Sequence, residues 1–229
     1  MCGIFGFITK HGHGPDPQRL REIARVTQRR GAHAFGLAWL DADNRIRTFK
    51  RPGPATDNLD DLDFCRDASI VLGHCRWATH GAPDQNANNH PHPAGRGWLV
   101  HNGVVLNHRT LVAQYGLATQ TECDSEVLGL LMAKIPGSLL RRGVLTAGAS
   151  HGALAVLGLW RNPARLLVLR RGKPLHFGET RQGFYFASLP QGLPGRVQSV
   201  AGHYAGLLTH EGSLRIECNP IRRPQAAAA

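Results

Sequence analysis

The stretch GIFGFIT (residues 3–9) is short, apolar and rich in Ile and Phe, the pattern of a buried strand that starts at the very N-terminus. PDPQRLREIARVTQRRG (15–31) follows, with Leu20, Ile23, Ala24 and Thr27 at i, i+3, i+4 and i+7, Pro17 near its start and Gly31 after its last arginines. That spacing predicts an amphipathic helix. HAFGLAWLDADNRIRTFK (33–50) reads as strand, turn and strand around Asp43-Asn44, and SIVLGHCRW (69–77) as a further apolar strand. Residues 78–97 are crowded with Pro, Gly and Asn and read as loop. WLVHNGVV (98–105) returns to strand, and DSEVLGLLMAKI (124–135) opens with an N-cap candidate, Asp124, before a nearly all-apolar helix that should be buried. Beyond it HGALAVLGLW, ARLLVLRR, GFYFAS, GHYAGLLTH and GSLRIEC alternate with turns. With no internal repeat and no linker, the reading is a single α+β domain over 1–222, dominated by antiparallel strands with the helices grouped together, and a disordered tail at 223–229.

The 229 residues are 42% hydrophobic and 19% charged, which excludes a disordered chain and a collagen-like repeat. The formal net charge is +11, and only four of the 27 basic residues are lysines (Lys10, Lys50, Lys134, Lys173). The arginines are scattered in ones and twos, without a run of five and without interleaved aromatics, so nucleic-acid binding is not expected as the main role. No stretch approaches the length of an apolar membrane span, and MCGIFGFITK lacks a basic region followed by a long apolar core. A cytoplasmic protein without membrane contact is expected. Five cysteines (Cys2, Cys65, Cys75, Cys123, Cys218), an odd number without CxxC spacing, suggest neither a disulfide framework nor a cysteine zinc site.

The loop after residue 76 carries more side-chain functionality than a connection needs: Arg76, Trp77, Thr79, His80, His90 and His92 lie between two apolar strands. His80, His90, His92 and His101, with Asp84 nearby, form one histidine-rich set. Their separations of ten, two and nine residues match no established ligand spacing, so neither metal nor cofactor is expected. A second kind of chemistry begins at Cys2. Removal of the initiator Met would leave a thiol and a free α-amine on one carbon. The amine titrates near about 7.7–8.0 and the thiol near about 8.5, so the amine can take the thiol proton around neutral pH.

Five segments place that cysteine in a pattern. MCGIFGF, GHCRWATHGAP (73–83), NNHPH (88–92), VHNGVVLN (100–107) and CDSEVL (123–128) resemble, in order and separation, the signatures of the class II glutamine amidotransferases, the N-terminal-nucleophile glutaminases. The likeness is nearest to the glutaminase half of glutamine–fructose-6-phosphate aminotransferase. It implies a four-layer αββα sandwich of two antiparallel sheets, the N-terminal-nucleophile hydrolase fold, and hydrolysis of the side-chain amide of L-glutamine to glutamate and ammonia through a thioester on Cys2.

The resemblance also implies roles. Asn102, through its side-chain amide, and Gly103, through its backbone N–H, would form the oxyanion hole. Arg76 would hold the α-carboxylate of glutamine with Thr79 and His80 beside it, and Asp124 would pair with the α-ammonium, as charge complementarity requires of a zwitterion. The segment 76–84, with Trp77 as its large side chain, would close as a lid. His90 and His101 would be supports, and Cys75 and Cys123 small packing residues. One departure is plain: Arg30-Gly31-Ala32-His33-Ala34-Phe35-Gly36 lacks the acidic residue and the hydroxyl that relatives carry after their Arg-Gly. With too few residues after the last motif for an acceptor domain, ammonia is expected to pass to a separate synthase subunit. Two other readings stand beside this one: hydrolysis of another γ-glutamyl amide, and a catalytically silent binding module.

Overall fold

The computed structural model describes residues 1–211 and 213–221. The tail expected at 223–229 lies outside them. GIFGFIT forms β1 (Gly3–Thr9), buried along its whole length. Its side chains divide by the two-residue period of a strand. Phe5 and Phe7 pack with Leu20, Ile23 and Ala24 of α1 (Pro17–Thr27), whereas Ile4 and Ile8 turn the other way and meet Val100, Leu157 and Val168. The continuous apolar run follows, because both faces of the strand are covered.

α1 begins where the sequence predicts, with Asp16 accepting from the Gln18 N–H at 3.0 Å and Pro17 at the first helical position. It buries Leu20, Ile23, Ala24 and Thr27, then tightens into a 3-10 turn at residues 28–30. β2 (Ala34–Leu40) and β3 (Ile46–Pro52) are the predicted hairpin, and Asn44 takes the positive φ of 59° that its turn requires. β4 (Ile70–Arg76), β5 (His92–Ala94) and β6 (Gly97–Gly103) come next. β5 corrects the sequence reading of 78–97 as loop: this short strand pairs His92 with Leu99 and Ala94 with Gly97 at a sheet edge, where a proline at position 93 is tolerated.

Three helices follow. α3 (Glu126–Lys134) is the predicted buried helix, but α2 (His108–Tyr115) and α4 (Leu139–Ala149) are absent from the sequence reading. α2 has one buried residue, Leu111, and α4 carries two glycines in eleven residues, so neither shows a strong apolar stripe. The chain closes with β7 (Leu154–Trp160), β8 (Ala164–Arg171), β9 (His176–Glu179), β10 (Gly183–Ala187), β11 (Gln198–Ser199), β12 (Tyr204–Glu211) and β13 (Ser213–Pro220).

One sheet has the order β11-β9-β10-β1-β4-β2-β3 and the other β13-β12-β8-β7-β6-β5, with every strand pair antiparallel. A core between them joins Ile4, Leu40, Ile70 and Leu72 of the first to Val100, Leu157, Leu166 and Val168 of the second. The outer face of the first sheet is covered by α1, and that of the second by α2, α3 and α4 through Leu111, Leu131, Leu140 and their neighbours. These are the four layers of the αββα sandwich. Among the described residues no helix is long and apolar enough to cross a membrane.

Candidate active site

Strand alternation decides which residues meet. On β4, Ile70 and Leu72 face the space between the sheets, so Arg76 is in phase with them. On β6, Val100 faces the same space and Asn102 follows it two residues on. On β1 the inward set is Ile4 and Ile8, and Cys2 keeps that phase. Gly3 pairs with Cys75, which puts Cys2, one step further, opposite Arg76. Three residues distant in sequence thus come to neighbouring strand ends in phase with the side chains between the sheets.

The Cys2 thiol is bracketed by one backbone unit: its sulfur accepts from the Trp77 N–H at 3.3 Å and lies 3.4 Å from the Trp77 carbonyl. Burial pushes the thiol pKa up; the Trp77 N–H, the chain's terminal amine and Arg76 pull it down, and Asp124 adds to the rise. Arg30 fixes the residue from behind, its Nε–H donating to the Cys2 carbonyl at 2.8 Å. The close packing here excludes side chains: a Cβ on Gly3 would lie 2.5 Å from Thr27 Cγ2, and one on Gly31 would lie 2.4–2.6 Å from the Arg76-Trp77 backbone. That contact explains why the Arg-Gly pair stands before β2.

Arg76 is buried and its guanidinium is already held, with Nη1 donating to Asn89 Oδ1 at 2.7 Å and Nη2 to the carbonyls of His80 and Gly81. It therefore shapes the 77–81 loop, and its charge acts on the Cys2 thiol. Trp77 is 48% exposed and stacks on His33 with ring centroids 4.5 Å apart, while His33 Nδ1 accepts from the Ala78 N–H at 3.1 Å. His33, which the sequence marked only as a departure, is a prop for this loop. Thr79 and His80 contact each other at 3.3 Å, and His80 Nδ1 lies 3.7 Å from Asp124 Oδ1.

Asp124 does not cap α3. Its Oδ2 turns to accept from the Val105 N–H at 2.6 Å, and the helix begins two residues later at Glu126, whose own carboxylate accepts from the N–H groups of Gln120 and Thr121. Oδ1 of Asp124 is left toward His80. His101 faces the helical layer, where Nδ1 meets Ser125 Oγ at 2.8 Å; burial lowers its pKa to about 4. Its carbonyl accepts from His74 Nε2 at 3.1 Å, a bond that ties one sheet to the other. His90 stacks on His74 at 3.9 Å and lies away from the thiol's immediate contacts. Asn102 is 1% exposed, and neither Oδ1 nor Nδ2 has a partner among the described residues. Gly103 ends β6 beside it, where a Cβ would meet the Ala153 carbonyl at 2.3 Å. Of the histidine-rich set read from the sequence, His80 and His101 are engaged elsewhere and Asp84 is exposed; His90 and His92 stay together.

Residues 53–206 match the family described as a glutamine amidotransferase domain. Over 189 residues the chain is 34% identical to glutamine–fructose-6-phosphate aminotransferase (isomerizing) of Aliivibrio fischeri, covering 78% of this chain and 30% of that protein. The enzyme of the same name from Helicobacter pylori is 33% identical over 201 residues, covering 82% and 32%. The chain thus spans about 30% of the length of the curated relatives it matches. Among solved structures, the glutamine phosphoribosylpyrophosphate amidotransferase of B. subtilis complexed with ADP and GMP superposes with a TM-score of 0.80 at 22% identity, over 96% of this chain and 49% of that one. A glutamine aminotransferase class-II domain protein from Silicibacter pomeroyi superposes with a TM-score of 0.63 at 19% identity, over 96% and 100%.

Proposed function

The chain belongs to the class II glutamine amidotransferases, and on that premise we propose that it is a glutaminase in which Cys2, freed of Met1, attacks the side-chain amide of L-glutamine. With Met1 in place the Cys2 nitrogen is an amide and has no basicity. Once Met1 is removed the α-amine takes the thiol proton as the sulfur–carbon bond forms, and the amide oxygen becomes an oxyanion. Asn102 Nδ2–H and the Gly103 N–H receive that charge. The protonated amine then gives its proton to the departing nitrogen, the carbon–nitrogen bond breaks and ammonia leaves a thioester, which water hydrolyses to glutamate.

Arg76 and Asp124 supply opposite charges for the ends of the zwitterion. The 77–81 loop, pinned by Arg76 below and His33 behind, excludes water from the reacting carbon. Ammonia is delivered to a synthase that consumes it. The observation that supports this reading is Asn102: a buried amide without a partner among the described residues, in phase with the side chains between the sheets, is a donor left free for a charge that develops only during reaction. The test is Cys2→Ala together with mass analysis of the mature N-terminus. Glutamate release should vanish in the variant, and active wild-type protein should begin at Cys2. Undiminished turnover in either the variant or a Met1-retaining protein defeats the proposal.

A further inference from the structure

Beside Asp124 lies a set of buried donors that the proposed reaction does not use. His90 and His92 flank Pro91 where the long loop enters β5, and Cys123 immediately precedes Asp124 on the approach to α3. Their donor atoms all lie within 4.8 Å of one another, and the residues are 2%, 0% and 5% exposed. Among the described residues, neither ring nitrogen of either histidine has a hydrogen-bond partner. A neutral imidazole carries one N–H and one lone pair, so four polar atoms sit unpaired in an interior that ordinarily leaves very few so.

Two imidazoles and a thiol, with no carboxylate among them, are the donor set of a borderline-soft transition metal rather than of calcium or magnesium. Burial keeps both rings neutral, the form that offers a lone pair to a metal. It also pushes the Cys123 thiol up to about 11, an effect that Asp124 increases and hydrogen bonds from Ser125 oppose.

We propose that His90, His92 and Cys123 form a zinc-type transition-metal site. The imidazole nitrogens bind as neutral donors, the Cys123 S–H releases its proton to solvent as the sulfur–metal bond forms, and the metal keeps its oxidation state. A fourth position is left for water. Cys123 also lines a cavity of about 490 Å³ with His80, Thr121 and Glu122, which gives water and the ion a route. An ion there ties β5 to the start of α3, and so steadies Asp124. The seam is already tight, since a Cβ on Gly129 would lie 2.0 Å from the Pro93 carbonyl.

The experiment uses the full chain, stripped with a chelator and titrated with Zn²⁺ against a chromophoric competitor, then with Co²⁺ for its absorption spectrum. One equivalent of zinc and a near-ultraviolet thiolate-to-cobalt band are expected. C123S and H92Q should each weaken zinc by more than about tenfold, and C123S should abolish the band. C218A, which removes the exposed thiol, should change neither. Zinc should also raise the Tm of the wild type but not of C123S, whose metal-free Tm reports on its folding. The site is overturned if stripped protein takes up no zinc, if C123S and H92Q bind as the wild type does, or if C218A alone removes binding.

Discussion

Replacing Asn102 by Ala separates catalysis from stability in a way that few positions in the fold allow. Its side chain forms no hydrogen bond among the described residues, so the substitution breaks none there. Burying an unpaired amide costs about 1–3 kcal/mol, and N102A removes that penalty while opening a gap of only a few atoms. The two effects oppose each other, and the net stability change should stay within about 1 kcal/mol, a Tm shift of no more than about 4 °C for a chain of this size. The reaction loses far more. A missing oxyanion donor costs about 3–4 kcal/mol in the transition state, so kcat should fall by about 10²–10³. KM should barely move, because the donor acts on charge that the bound ground state lacks. Asn89 is the control: its Oδ1 accepts from Arg76 and its Nδ2 donates to the Pro83 carbonyl at 2.8 Å, so N89A should cost about 1 kcal/mol for each bond and lower the Tm visibly. The assays are enzyme-coupled glutamate release and thermal unfolding on the same preparations. If N102A keeps kcat within about threefold of wild type, or destabilises the fold as much as N89A does, the assignment of Asn102 as an oxyanion donor is wrong.

Two further outcomes follow from the geometry. His33→Ala removes both the stack on Trp77 and the acceptor for the Ala78 N–H, contacts together of about 1–2 kcal/mol, so KM for glutamine should rise by about five- to thirtyfold; an unchanged KM would show that the 77–81 loop is ordered without it. His101 is buried neutral with its pKa lowered from 6.5 to about 4, so the unfolded chain takes up the proton first. Its contribution is complete above about pH 6.5 and is lost as pH falls toward about 4, with roughly 2 kcal/mol gone at pH 5. Urea unfolding at pH 7 and pH 5 should show a smaller drop in H101Q than in wild type, and equal drops would refute the burial argument.

How much of this is legible in the sequence depends on how local the cause is. β1 and α1 announce themselves because the alternation of Ile and Phe, and the Asp16-Pro17 start with its i, i+3, i+4, i+7 stripe, are properties of a few neighbouring residues. α4 is silent because its helix is held by packing on β8 and not by its own propensity: a Cβ at Gly143 would lie 3.0 Å from Leu167, so the glycine is there for closeness. β5 is three residues long and exists only because β6 offers its edge. In the candidate site, family likeness singles out Cys2, Arg76, Asn102 and Asp124 for the roles proposed above. Nothing local could reveal that His33 braces Trp77 across 44 positions, or that Cys123, which read as packing, lies against His90 and His92.

The division of labour between the sheets makes the site depend on their alignment. Cys2, just before β1, and Arg76 lie at the first sheet, Asn102 and Gly103 on the second, and the core between the sheets is mostly aliphatic, so it specifies distance more than lateral position. Directional bonds must supply the rest. The His74 Nε2 contact with the His101 carbonyl does so one residue from Asn102 on β6 and two from Arg76 on β4, so a slip between the sheets breaks a buried hydrogen bond before it displaces Asn102. Burial lowers the His74 pKa to about 3, which keeps the ring neutral at neutral pH. A misplacement of about 1 Å can cost roughly a hundredfold in rate. On the proposed reaction, the inward histidine of β4, part of the GHCRW segment, is therefore a positioning residue for Asn102.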